Sequence, residues 1–284
     1  MSIVRLSVSL VAALVLSACA PPVADEPAGG TQPLVVQGAM PVETQALVAA
    51  LQGATETRVQ GWTFWTGQID GYPVIVSRTQ KGMTNAAAAT ALAIERFHPR
   101  AIINQGTAGG HDADLHVMDI VVGTESVNIG AFKTGVRAAG QGTSFDEWRP
   151  MDLIRTEGSA GQDPKAWMMH RFPGDPALLA AASAAKGTYT QGRVVEGVIG
   201  SSDVWNSELD RIRRLHDEFG TTVEEMETAA AAQVAGMSQV PFLGIRVLSN
   251  NITNDGAYNG ASAEACQTYV LAVLRALIAQ QRAH

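Results

Sequence analysis

Three short segments rich in glycine or serine, Gly38-Ala39-Met40, Gly106-Thr107-Ala108-Gly109-Gly110 and Gly200-Ser201-Ser202-Asp203, each follow directly on an apolar run. If those runs are strands of an α/β fold, ligands bind beyond their carboxyl ends, where turns without bulky side chains let a ligand approach the backbone. Glycine after a strand also simply turns the chain, so each segment alone is open to both readings. None is a P-loop, because Gly-x-x-x-x-Gly-Lys-Ser/Thr occurs nowhere. Two carboxylates, Glu43 and Glu227, stand at expected helix starts. Each could act on a bound ligand or water, or could merely complement a helix dipole. Trp205, just after the third segment, offers a ring to stack on a flat ligand or to fill a core. The six histidines give no metal pattern: His111 and His116 are five apart with no cysteine or paired acidic signature, so neither metal nor cofactor is expected.

The elements that must position these groups alternate between short apolar runs and longer alanine-rich stretches, which is the pattern of an α/β protein with a largely parallel or mixed sheet. Strands are expected at Leu34 to Val36, Val74 to Val76, Ala101 to Ile103, Asp119 to Val122, Val194 to Ile199 and Phe242 to Leu248. Such continuous runs suit strands buried on both faces. Helices are expected at Val42 to Leu51, Asn85 to Phe97, Pro176 to Lys186, Leu209 to Phe219, Glu225 to Met237 and Ala263 to Gln281, with Pro41 at a first helical position. Residues Phe132 to Phe172 mix glycine, proline and charge without period, as lids and binding loops often do.

The N-terminus bears on compartment. Arg5 precedes an apolar run, Leu6 to Leu16, far shorter than the roughly 20 residues of a membrane span. The run ends at Leu16-Ser17-Ala18-Cys19, so residues 1–18 read as a lipoprotein signal peptide and Cys19 as the lipidated residue. This implies an exported protein anchored to a membrane by its N-terminal lipid. Residues 19–33, rich in Pro, Ala and Gly, read as a disordered tether, and residues 34–284 as a single domain. With Cys19 lipidated, Cys266 has no disulfide partner and is expected to pack in the last helix. A net charge of -7 and a pI near 5.4 argue against a nucleic-acid groove, which needs clustered Lys and Arg.

Taken in order, four segments are specific. Val36-Gln37-Gly38-Ala39-Met40-Pro41-Val42-Glu43, Ile102 to Gly110 followed by Asp119 to Val122, Val223-Glu224-Glu225-Met226-Glu227-Thr228-Ala229-Ala230, and Val240 to Ser249 resemble the successive signatures of the methylthioadenosine/S-adenosylhomocysteine nucleosidases, within the nucleoside phosphorylase superfamily. The resemblance implies a three-layer α/β/α sandwich with a mixed, partly closed sheet, and cleavage of a purine–ribose bond. By it, Glu43 is the general base on water, Glu227 accepts hydrogen bonds from the ribose 2′ and 3′ hydroxyls, and Met226 packs on the ribose. Arg246 positions the carboxylates. Gly109, Ser202, Asp203 and Trp205 belong to the substrate-binding segments, with Trp205 stacking on the purine.

One position departs from the family. Where the nucleosidases place an aspartate to protonate N7, this chain has Asn250, and an amide cannot supply that proton. The 6-oxopurine phosphorylases of the superfamily use an asparagine in a similar role. They also carry an arginine where this chain has Asn104, which favours water over phosphate, although Arg78 and Lys81 stand near a strand end. The expected function is therefore hydrolysis of a purine nucleoside, with phosphorolysis and non-catalytic nucleoside binding as the other two readings. A homo-oligomer is expected, a dimer first.

Overall fold

The computed structural model describes residues 31–142, 144–151, 153 and 171–282. Cys19, the apolar run before it, most of the tether and residues 154–170 lie outside the described residues. The chain forms twelve described strands: β1 (Leu34–Gly38), β2 (Gln52–Val59), β3 (Trp62–Ile69), β4 (Tyr72–Arg78), β5 (Ala101–Gly110), β6 (Ile120–Asn128), β7 (Phe132–Lys133), β8 (Arg149–Pro150), β9 (Arg171–Pro173), β10 (Val194–Ser201), β11 (Thr221–Glu225) and β12 (Phe242–Asn250). The helices are α1 (Pro41–Ala50), α2 (Met83–Phe97), α3 (Pro176–Ala185), α4 (Leu209–Phe219), α5 (Thr228–Met237) and α6 (Ser262–Arg282).

The main sheet runs β11-β10-β6-β12-β5-β1-β4-β3-β2, and β11 also pairs back onto β5 through Val223↔Gly110 and Glu224↔Gly109. Five strands, β5, β12, β6, β10 and β11, thereby close on themselves, while β1, β4, β3 and β2 extend as an open wing. Pairing is parallel at β1–β4, β1–β5, β5–β12, β6–β10 and β10–β11, and antiparallel at β6–β12, β5–β11 and through the β2–β3–β4 meander. Helices cover both faces, which explains the unbroken apolar runs. Val36, Ile103 and Ile245 pack with Leu47, Leu178 and Tyr269 of α1, α3 and α6, whereas their neighbours Val35 and Ile102 pack with Ala93 of α2 and Ala231 of α5. The result is the mixed-sheet, three-layer α/β/α arrangement.

Three expectations change. The strands β2 and β3 were not foreseen: β2 (QGATETRV) is an edge strand exposed at all but Val59, so no core face marks it. The segment Gly106 to Gly110 is not a turn but the second half of β5. Its glycines serve close approach instead: a Cβ on Gly106 would lie 2.8 Å from Glu43 Oε1, and one on Gly110 2.5 Å from Asn251 Cγ. The helix expected from Glu225 begins at Thr228, because Glu225 still belongs to β11. The described part of the Phe132 to Phe172 stretch forms the β7–β8 pair and an aromatic cluster, in which Phe132 meets Phe145 at 5.4 Å and Phe219 at 6.0 Å.

α5 sits hard against β12, because Gly244 leaves no side chain between them. An added Cβ would lie 2.5 Å from Thr228 Cγ2 and 2.9 Å from Ile199 Cδ1. Gly244→Ala is therefore expected to cost about 1–3 kcal/mol, read as a lower urea midpoint at unchanged slope. A midpoint equal to that of the wild type would mean that α5 yields freely.

Candidate active site

A cavity of about 190 Å³ opens where β1, β5, β11 and β12 end and where the chain leaves β10. Glu43, Gly109, Trp205, Met226, Glu227 and Asn250 all line it, so topology brings together residues spread over most of the chain. Ser202 and Asp203 do not line it. Ser202 is buried behind it, and Asp203 Oδ1 accepts a hydrogen bond from Met83 N at 2.8 Å, at the start of α2. Asp203 thus ties its loop to the start of α2.

Glu43 is buried in the first turn of α1, and four donors hold its carboxylate. Ala39 N and Met40 N donate to Oε2 at 3.0 and 3.1 Å, while Thr107 N and Oγ1 both donate to Oε1 at 2.9 Å. Gln105 Nε2 donates to the Glu43 carbonyl. A charge placed only to favour a helix dipole needs no such cradle. Thr107 was not foreseen, since its role depends on β5 lying against α1.

At the other carboxylates, one buried guanidinium organises the site. Arg246, on β12, donates through Nε and Nη2 to Glu225 Oε2 and through Nη1 and Nη2 to the carbonyl and side chain of Asn104. Its Nη2 stands 4.0 Å from Glu227 Oε2. Glu225 also accepts from Ser201 Oγ and from the backbone N–H groups of Glu227 and Thr228, and so caps α5. Burial pushes the Glu225 carboxyl up, but the Arg246 charge and these hydrogen bonds outweigh burial and hold it below the usual range. Glu227 receives less help. Burial and the charge of Glu225 push it up to about 8, against Arg246 and a hydrogen bond from Gly82 N at 2.9 Å. One cation thus serves two acids, and the nearer acid takes the charge. Glu225 was missed in the sequence because its partner lies on another strand; the only available signal was the acidic run Glu224-Glu225.

Asn250 ends β12. Ser249 Oγ lies 3.0 Å from Asn250 Oδ1 and 3.1 Å from the Ala108 carbonyl, and Asn250 Nδ2 has no hydrogen bond among the described residues. Trp205 is 73% exposed at the mouth, available to cover a ligand and not part of the core. Asn104 is buried beneath the carboxylates, and Arg78 stacks over Trp65 and donates to Thr44, so neither lines the cavity. Lys81 does line it. Cys266 is a buried free thiol pushed up to about 12, chiefly by burial.

Known proteins share this sequence pattern and fold. Residues 33–279 match the Phosphorylase superfamily. A 5′-methylthioadenosine/S-adenosylhomocysteine nucleosidase from Shewanella piezotolerans is 34% identical over 225 residues, 78% of this chain and 86% of its own length. One from Bacillus thuringiensis is 34% identical over 218 residues, 76% and 85% of the two chains. Among solved structures, the nucleosidase from Colwellia psychrerythraea in complex with adenine superposes with a TM-score of 0.69 at 30% identity, covering 87% of this chain and 96% of its own. The Neisseria meningitidis nucleosidase in complex with methylthio-immucillin-A gives 0.68 at 25% identity, covering 86% and 99%. Sequence, fold and the gathering of the motif residues around one cavity lead to a single assignment: the chain belongs to the 5′-methylthioadenosine/S-adenosylhomocysteine nucleosidase family of the phosphorylase superfamily, hydrolases of the N-glycosidic bond.

Proposed function

We propose that water, activated by Glu43, cleaves the purine–ribose bond of a nucleoside held with its sugar against Met226 and Glu227. The observation that carries this reading is the cradle of four donors, which aims a buried carboxylate into the cavity as a base must be aimed. Glu43 takes one water proton while the water oxygen bonds to C1′. The C1′–N9 bond breaks, and its electron pair leaves with the base. Glu227 accepts from the 2′ and 3′ hydroxyls, and its charge offsets the cation-like ribose. Asn250 Nδ2 donates to N7 without transferring a proton, so the base leaves as an anion and is protonated from solvent. The relatives' names make methylthioadenosine and S-adenosylhomocysteine the reference substrates. Lys81 is the one feature that favours phosphate as the nucleophile.

Base release from methylthioadenosine, adenosine and inosine by the purified full chain, with and without phosphate, tests this. Release is expected without phosphate, and Glu43→Gln is expected to lower kcat by about 10²–10⁴-fold. Release only with phosphate would make the chain a phosphorylase, and tight binding without release would make it a nucleoside-binding protein.

Glu227 also gives a pH signature. Its folded-state value of about 8 exceeds the ordinary 4.5, so between these pH values the native state holds a proton that the unfolded chain has lost. Stability attributable to Glu227 therefore falls as pH rises from about 5 to 8 and levels off above. Urea midpoints of the wild type and Glu227→Gln should diverge across that window, the variant gaining. In parallel, kcat/KM of the wild type should climb toward pH 8 as the acceptor form accumulates. Parallel midpoints across the window would refute the assignment.

We further propose that the protein is exported and held to a membrane by lipid on Cys19, as a homodimer. The Leu16-Ser17-Ala18-Cys19 motif supports the anchor, and the exposed apolar rim of Val204, Trp205 and Tyr258 supports self-association. The full chain should fractionate with membranes and take up labelled fatty acid, and Cys19→Ala should do neither. Sedimentation of the detergent-solubilised protein should give twice the chain mass. Soluble, unlabelled wild-type protein would remove the anchor, and a monomer would remove the dimer.

A further inference from the structure

Glu224 is a fourth carboxyl group in the cavity lining, and nothing in the proposed cleavage uses it. It sits on β11 directly opposite Gly109, and Gly109 is also the β5 partner of Asn250 on β12. Both side chains consequently converge on one point: a Cβ built on Gly109 would lie 3.6 Å from Asn250 Nδ2 and 3.8 Å from Glu224 Cγ. With hydrogen there instead, Gly109 forms a floor flanked by an amide on one side and a carboxylate on the other. Whatever flat group Asn250 touches, Glu224 reaches too.

The Glu224 side chain is only 10% exposed and is held from behind. Asn206 Nδ2 donates to Oε2, and the fully buried His111 Nε2 stands 3.2 Å from the same oxygen, out of line for a hydrogen bond. The other His111 nitrogen meets Thr221 Oγ1 at 2.7 Å, which fixes the ring. Both contacts fall on Oε2. Oε1 has no hydrogen bond among the described residues, so a carboxylate acceptor is presented beside the amide donor of Asn250.

We infer that Glu224 and Asn250 together select 6-oxopurine over 6-aminopurine nucleosides. This rests on the assignment of Asn250 to the base, and it sets this chain apart from its relatives, whose named substrates carry a 6-aminopurine. A 6-oxopurine carries a ring N1–H donor beside the O6 acceptor, with N7 as a second acceptor. A 6-aminopurine reverses this edge, with a lone pair on N1 beside the amino donor. With Asn250 Nδ2 on the N7 side and Glu224 Oε1 set against N1, the carboxylate accepts the N1–H of the first and meets the N1 lone pair of the second; set against the 6-amino group instead, it would favour the second. The Asn250 amide donates to N7 or O6. Leaving-group chemistry agrees, because the amide of Asn250 cannot protonate N7. A departing 6-oxopurine spreads its charge onto O6, where an amide donor can hold it without proton transfer. Sites that hydrogen-bond a particular edge reject the analogue strongly, since mismatching leaves buried groups unpaired.

Inosine and adenosine share one ribose and differ at this edge alone, so their kcat/KM ratio reads the inference. The wild-type full chain should favour inosine at least about 10-fold. Glu224→Gln, which can present either an acceptor or a donor, should bring the ratio near one by lowering inosine and not adenosine. Glu224→Val should do the same if the glutamine variant folds poorly, which circular dichroism checks. A wild type that favours adenosine or shows no preference overturns the inference, as does a ratio unchanged by substitution or an equal loss on both substrates. If neither nucleoside is cleaved, the proposed hydrolysis fails by itself, and calorimetric binding of hypoxanthine and adenine decides this question separately. Hypoxanthine bound more tightly by the wild type, with the advantage lost in Glu224→Gln, upholds the inference; equal or absent binding overturns it.

Discussion

A buried arginine among carboxylates is the constraint on which the site depends. Arg246 is 1% exposed, so its charge must be met by the groups packed against it. Its contact with Glu225 supplies the counter-charge, and its bonds to Asn104 tie β12 to β5. Breaking such a pair by removing one partner typically costs about 3–5 kcal/mol, because the other charge stays buried and uncompensated. Glu225 in turn caps α5 and so orients the next turn of chain, which carries Glu227. Glu227 is placed by this chain of contacts rather than by its own partners. Glu227 is left with one backbone donor and a distant guanidinium, and this accounts for its raised protonation range.

The second constraint is steric. β5 must pass close enough to α1 for Thr107 to hold Glu43, and close enough to β11 and β12 for Glu224 and Asn250 to meet over it. Each approach falls on a glycine: Gly106 under the Glu43 carboxylate and Gly109 under the other two side chains. Without a Cβ at either place the strand itself becomes part of the cavity wall. The same glycines give β5 the appearance of a strand followed by a loose turn, although it is one continuous strand whose far end closes the five-stranded part of the sheet through β11.

Legibility in the sequence followed burial. β1, β4, β5, β10 and β12 were readable because helices cover both of their faces and force unbroken apolar runs; β2, with one buried residue in eight, left no trace. The helices were readable to within a few residues, except where Glu225 extended β11 at the expense of α5. In the site, Glu43 and Glu227 were each ambiguous alone, since an acid at a helix start also suits the dipole. Their order among the other motifs pointed to function, and both residues line the cavity. Ser202 and Asp203 could not be separated from Trp205 by sequence, because local pattern does not say which side of a loop faces a cavity. Glu225, Thr107 and Glu224 stayed hidden because each takes its role from a strand far away in the chain.

Charge balance joins the choice of nucleophile to the choice of base. Among the described residues, four carboxyl groups, Glu43, Glu224, Glu225 and Glu227, line the cavity with one lysine. Arg246 offsets the charge of Glu225, and burial beside Glu225 pushes Glu227 up toward its protonated form. Even so, the wall is short of cations, and a phosphate dianion entering it would meet like charge at low dielectric without the paired arginines that such an anion needs. Neutral water has no such barrier. The same field favours a ribose that turns positive as its bond to the base stretches, and that growing charge favours ionisation of Glu227 as the reaction proceeds. The field does not favour an anionic base, so under the proposed cleavage the leaving group depends on local donors, of which the amide of Asn250 beside Gly109 would be one.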